Sequence, residues 1–121
     1  TKAALESIAF QTKDLISAME LDTNKNFSML AVDGGASANN FLMQFQADIL
    51  GASIQRAAII ESTALGVAYL AGLHVGLWSF SELEKSKKNS QVFEPAMGEE
   101  KRERLYKGWL KAVSRTMNWI E

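Results

Sequence analysis

Asp33-Gly34-Gly35-Ala36-Ser37-Ala38-Asn39-Asn40 is the stretch of this chain whose residue types could do chemistry on a ligand. Glycines let the backbone turn with no Cβ in the way, so a ligand can approach bare peptide groups. Asn39 brings both a donor and an acceptor. Met29, Leu30, Ala31 and Val32 run into the glycines and read as a short buried strand. Behind the turn, Ala38, Phe41, Leu42, Phe45 and Ile49 mark one face of a helix. A strand, a glycine turn and a helix N-terminus together suit a nucleotide. A βα turn built for packing alone has the same pattern, and these residues by themselves leave both readings open.

Other chemistry has little to work with. The aspartates are Asp14 and Asp48 on helical patterns, Asp22 in a polar turn, and Asp33 at the strand end. Asp33 could reach a water of a metal–nucleotide, but backbone hydrogen bonding in the turn is the favoured role. No second acid lies near it in sequence to complete a base or a metal site. His74, the one histidine, has no Cys, Asp or Glu at ligand spacing and reads as a surface residue near a helix end. Ser62 and Thr63 suit a helix cap better than a nucleophile. Trp78, Trp109 and Trp119 read as packing, and Lys85, Lys87 and Lys88 as a solvated loop balanced by glutamates. Gly66, inside a helix, costs about 1 kcal/mol against alanine, which a close contact would justify. No residues are assigned to catalysis or to a metal.

Composition removes whole classes. Thirteen Lys and Arg face 14 Asp and Glu, a net charge of −1, so no field favours nucleic acid or an anionic membrane. With no cysteine there is no disulfide or thiolate chemistry, which is compatible with a cytoplasmic location. Apolar runs are too short to span a bilayer. At 121 residues and 47% hydrophobic content, one domain or less is expected. The chain opens without methionine inside a helical pattern, as a piece of something longer would.

The elements that must position the turn follow from periodicity. A first helix over 2–20 shows Leu5, Ile8, Ala9, Thr12, Leu15, Ile16 and Met19 on one face. A strand over 27–32 leads to the glycine turn and a helix over 37–50, capped by Gly51. A second strand covers 53–57. Another helix starts at Ser62 or Thr63 and ends between Gly72 and Val75. A charged loop with a helical turn near Ser81-Glu82-Leu83-Glu84 precedes an edge strand over 91–93, stopped by Pro95. From Glu99 a last helix carries Tyr106, Trp109, Leu110, Val113, Met117 and Ile120 on one face. This αβαβα(β)α order predicts an α/β fold with both main strands in one parallel sheet.

The same residues resemble a known family. The run 33–44, continued by Gln46-Ala47-Asp48-Ile49-Leu50-Gly51, is similar to the adenosine-binding turn of the glycerol kinases. These are carbohydrate kinases whose domains share the actin-like, ribonuclease H-like ATPase fold. The likeness recurs in 63–73, in Gly76-Leu77-Trp78, in Trp109-Leu110-Lys111-Ala112-Val113, in Met117-Asn118-Trp119 and in 3–11. It spans essentially the whole chain, in order, and is closer than to pentulose or gluconate kinases. One departure is Ala57 after Arg56, where the family commonly has proline; its loss is expected to loosen a strand end.

The resemblance implies the C-terminal part, 1–121, of the second, nucleotide-side domain of such a kinase. It places adenosine contacts at Gly35, Ala36 and Asn39, while Gly34 serves the turn. It implies ATP as cofactor, with Mg2+ and the catalytic acid held by an upstream part of the same kinase. Glycerol would be bound through that missing part. The chain alone is then expected to be inactive, to bind nucleotide weakly, and either to self-associate as a homo-oligomer or to need its upstream partner present. Rival readings are a kinase of another sugar or polyol and a stand-alone interaction module using the aromatic C-terminal helix. A dinucleotide fold fares poorly without GxGxxG, and a P-loop is excluded because no Gly-Lys-Ser or Gly-Lys-Thr occurs.

Overall fold

Two short parallel strands, the apolar run 29–32 and the mixed run 53–56, with the helix between them in sequence, build the frame that presents the glycine turn. The computed structural model describes residues 2–59, 62–85 and 90–117. Helix α1 (Lys2–Thr23) leads to β1 (Met29–Val32), a 3-10 turn (Gly35–Ala38), α2 (Asn40–Leu50) and β2 (Ser53–Arg56). Then come α3 (Ser62–His74), α4 (Phe80–Lys85), β3 (Gln91–Phe93) and α5 (Glu99–Ser114). The sheet order is β1-β2-β3. β1 and β2 run parallel with Leu30 opposite Ile54 and Val32 opposite Arg56. β3 adds antiparallel, with Phe93 opposite Ile54.

α2 is the centre of the fold. Leu42, Met43, Phe45, Gln46, Ala47 and Ile49 are all buried, a far wider buried band than one helical face. Ala9 of α1, Ile54 and Phe93 close the core around it. Ala38 and Phe41, expected on the core face, are exposed. The helix also begins later than 37, because Asn39 is extended (φ −82°, ψ 106°) and caps it. At the other end Gly51 takes the left-handed conformation (φ 71°), donating its N–H to Ala47 O. Arg102 of α5 reaches the same terminus, its Nε donating to Asp48 O at 2.7 Å. A guanidinium there satisfies a carbonyl and complements the helix dipole.

Phe10 joins three helices, edge-on to Phe45 of α2 at 5.6 Å and stacked on Trp109 of α5 at 5.5 Å. Asp14 adds a polar clasp: Tyr106 Oη donates to its Oδ1 and Trp109 Nε1 to its Oδ2, the latter at 2.8 Å. α1 therefore buries Ala9 and Ile16, while Ile8, Leu15 and Met19 of its expected face stay exposed. On α5 the contact face is Leu105, Tyr106, Trp109 and Val113, with Leu110 and Met117 exposed; Ile120 lies outside the described residues.

β1 corrects a second expectation. Its four apolar residues predict a buried strand, but it is an edge strand among the described residues, and Met29 is 52% exposed. Leu30 and Val32 pack toward the core, whereas Met29 and Ala31 are exposed. α3 is equally uncovered: Val67 and Leu70 are 65% and 68% exposed, and Gly72 is its one buried residue. Trp78 explains that glycine, since a Cβ there would overlap the indole, whose Nε1 donates to Tyr69 O. Gly66 meets nothing comparable. α4 opens with a capping box in which Glu82 accepts from the N–H and hydroxyl of Ser79. Those bonds hold the Glu82 carboxyl below the usual carboxylate range.

A candidate nucleotide-binding turn at the strand ends

Gly34 leaves β1 with φ 79° and ψ 169°, a region essentially closed to residues with a side chain. Its carbonyl accepts from Ser37 N at 3.0 Å and from Ser37 Oγ at 2.7 Å, which closes the 3-10 turn. Gly34 thus serves the turn geometry. Gly35 is different: its φ is not positive, and a Cβ built on it meets nothing within 4 Å. Neither backbone nor packing within the described residues asks for glycine there. Gly35, Ala36 and Asn39 all lie exposed, around the buried Ser37.

Asn39 caps α2, its Oδ1 accepting from Leu42 N at 3.1 Å. The capping role and a ligand role need not compete, because the cap occupies the oxygen. Among the described residues the Asn39 amide nitrogen makes no hydrogen bond, and the Asn39 backbone N–H closes the same turn by donating to Ala36 O at 3.2 Å.

Arg56 is the residue that sequence reasoning missed. From the end of β2 its Nη1 donates to Ser37 O at 2.8 Å and to Asn40 Oδ1 at 2.9 Å. Nη2 donates to Gln91 Oε1, and the guanidinium lies over the Phe93 ring, 5.2 Å from its centre. A cleft of about 940 Å³ opens past the C-terminal ends of β1 and β2; Gly35, Ala36 and Asn39 are not among the residues that line it. Asp33, Gln55, Ser62, Tyr69 and Phe80 are among the residues lining it. Crevices at the carboxyl ends of parallel strands are where open α/β sheets bind ligands.

Residues 1–75 match the C-terminal domain of the FGGY family of carbohydrate kinases. The chain belongs to that family. It is 61% identical over 121 residues to a glycerol kinase of Caldanaerobacter subterraneus, covering 99% of this chain and 24% of that protein. A glycerol kinase of Pseudomonas fluorescens is 56% identical over 119 residues, with 98% and 24% covered. The chain thus spans about a quarter of the length of these curated relatives. Among solved structures, Plasmodium falciparum glycerol kinase with ADP superposes with a TM-score of 0.80 at 35% identity, over 98% of this chain and 24% of that one. The fold is accordingly a part of the actin-like ATPase fold, α/β as expected.

In this FGGY segment the strand end after Arg56 is tighter than expected. Ala57 N donates to Val32 O at 3.0 Å, extending the parallel ladder by a bond that a proline could not make. Asp33 also differs from its expected structural role. Its carboxylate is exposed on the cleft and makes no hydrogen bond among the described residues. Asp48 does work as a structural acid, its Oδ1 accepting from Ala96 N at 2.7 Å and Met97 N at 3.1 Å. His74 is exposed in the last turn of α3. Trp78 and Trp109 pack as described above, and Trp119, Lys87 and Lys88 lie outside the described residues. No three acids and histidines converge on a metal-sized site among the described residues, and no helix there is long and apolar enough to cross a membrane.

Proposed function

We propose that residues 1–121 form the C-terminal part of the nucleotide-side domain of a glycerol kinase, which converts ATP and glycerol to ADP and glycerol 3-phosphate. The observation that carries the nucleotide half is Gly35, a glycine that neither its backbone angles nor its neighbours require. A ligand passing over that bare backbone supplies the missing reason. Ala36 adds little bulk beside it. Asn39, its oxygen engaged by Leu42 N, presents two N–H donors that suit an acceptor on the adenine edge or ribose. The reaction itself rests on relatives named glycerol kinase that match along the whole chain.

Phosphoryl transfer also needs a metal held by acids and a group that orients the attacking hydroxyl. On this reading the metal and the catalytic carboxylate are supplied by the upstream part of the polypeptide. Glycerol binds through that part too. The reading includes a cytoplasmic enzyme able to form a homo-oligomer.

The full-length protein should release ADP from ATP only when glycerol is present, and the purified 121-residue chain should not. Phosphorylation of another polyol in place of glycerol would overturn the substrate, and turnover by the isolated chain would overturn the remote catalytic centre.

A further inference from the structure

We infer that Arg56 is a positioning residue for the nucleotide turn, choosing which of two adjacent asparagines caps α2 and so where Asn39 points its amide. The inference rests on the nucleotide reading of Gly35, Ala36 and Asn39. Apart from those of Arg56, the hydrogen bonds across the turn among the described residues are local ones: Ser37 to Gly34, Asn39 N to Ala36 O, and Leu42 N to Asn39. Local bonds set the shape of a turn but not its placement on the sheet. Arg56 supplies that placement, joining Ser37 O and Asn40 Oδ1 to the end of β2 across 19 and 16 residues of chain.

The fork is itself held from beneath. Gln91 accepts from Nη2 and the Phe93 ring lies under the guanidinium, so β3 orients the planar group before it meets the turn. A planar guanidinium held this way loses little freedom per bond formed, which a lysine could not match.

The choice of cap follows. Asn39 and Asn40 are both strong cap residues, and a cap one residue later would sit about 100° further round the helix axis. Arg56 holds Asn40 Oδ1 at the end of β2, away from the capping role, and Asn39 caps the helix in extended conformation, its Oδ1 accepting from Leu42 N. Without the guanidinium, Asn40 is free to compete for the capping role.

ADP titration and steady-state kinetics of the full-length protein test this. Arg56→Met should weaken ADP binding about tenfold and raise the KM for ATP equally, leaving the KM for glycerol in place. Arg56→Lys should fall between Met and wild type, since one ammonium cannot reproduce the fork. Adding Asn40→Ala to Arg56→Met removes the competing cap and should recover most of the lost ADP affinity, which a general loss of stability would not allow. Tyr106→Phe, which loosens α5 from α1 away from the turn, should leave ADP affinity unchanged. Gly35→Val tests the underlying site separately. If Gly35→Val abolishes ADP binding while both Arg56 variants bind as wild type, the role of Arg56 is refuted and the site stands. If the double variant shows no recovery, the cap selection is refuted. If Gly35→Val binds ADP normally, the nucleotide reading itself falls. Should Arg56→Met fail to fold, Arg56→Lys decides, with unchanged ADP affinity counting against the inference.

Discussion

Gly34 and Gly35 are neighbours with opposite reasons to be glycine, and alanine at each should separate fold from ligand. At Gly34, φ 79° and ψ 169° place the backbone where any Cβ is strained, so Gly34→Ala should cost about 1–3 kcal/mol of stability. At Gly35 a Cβ meets open space and φ is ordinary. Alanine there restricts the unfolded chain more than the folded one, for a change between zero and a gain of about 0.5 kcal/mol. Binding should respond in the other order. A methyl group on the face where backbone and nucleotide must touch is an overpacking insertion worth about 1–3 kcal/mol, or roughly five- to 150-fold in ADP affinity. Denaturant midpoints and ADP titrations of both variants of the full-length protein give the two columns. The reasoning is refuted if Gly35→Ala destabilises as much as Gly34→Ala and ADP affinity falls only in step. In that event another part of the polypeptide, and not a nucleotide, fills the space over Gly35.

Asn39→Ser keeps a capping oxygen but removes the amide donors, so stability should hold within about 0.5 kcal/mol while ADP affinity drops; loss of stability without loss of affinity would make Asn39 a cap alone. The Tyr106 hydroxyl is pushed up to about 12 by burial first, then by its hydrogen bond to Asp14 and that carboxylate's charge. Since the neutral phenol is favoured by the fold, its contribution is whole below about pH 10 and is lost as pH rises toward 12. Tyr106→Phe should therefore flatten the alkaline fall in denaturant midpoint between those values, and identical profiles would contradict the clasp. The isolated 121-residue chain should self-associate through the open β1 edge and the surface running from α3 to α4, where Leu70, Leu77 and Phe80 are 68%, 71% and 74% exposed. Adding the separately made upstream fragment should raise its melting temperature, whereas a stable monomer with no gain on mixing would speak for an independent module.

What the sequence by itself determined is local. Glycine after an apolar run marked the turn after β1, a glycine after the α2 pattern marked its left-handed C-terminus, and alternating element types predicted parallel β1 and β2. These signals are short-range because φ preference, capping and hydrophobic period act over one or two helical turns. The tertiary structure decided what depends on residues far apart in the chain. Arg56 reaches the turn from another strand, Ala57 N finds Val32 O, and Asp14 meets Tyr106 and Trp109 over 90 residues away. No periodicity in α1, β2 or α5 encodes those meetings. The same holds for exposure: the Met29–Val32 run and the largely apolar α3 carry the pattern of buried elements, but burial depends on what packs against them, and in this chain their outer faces remain open.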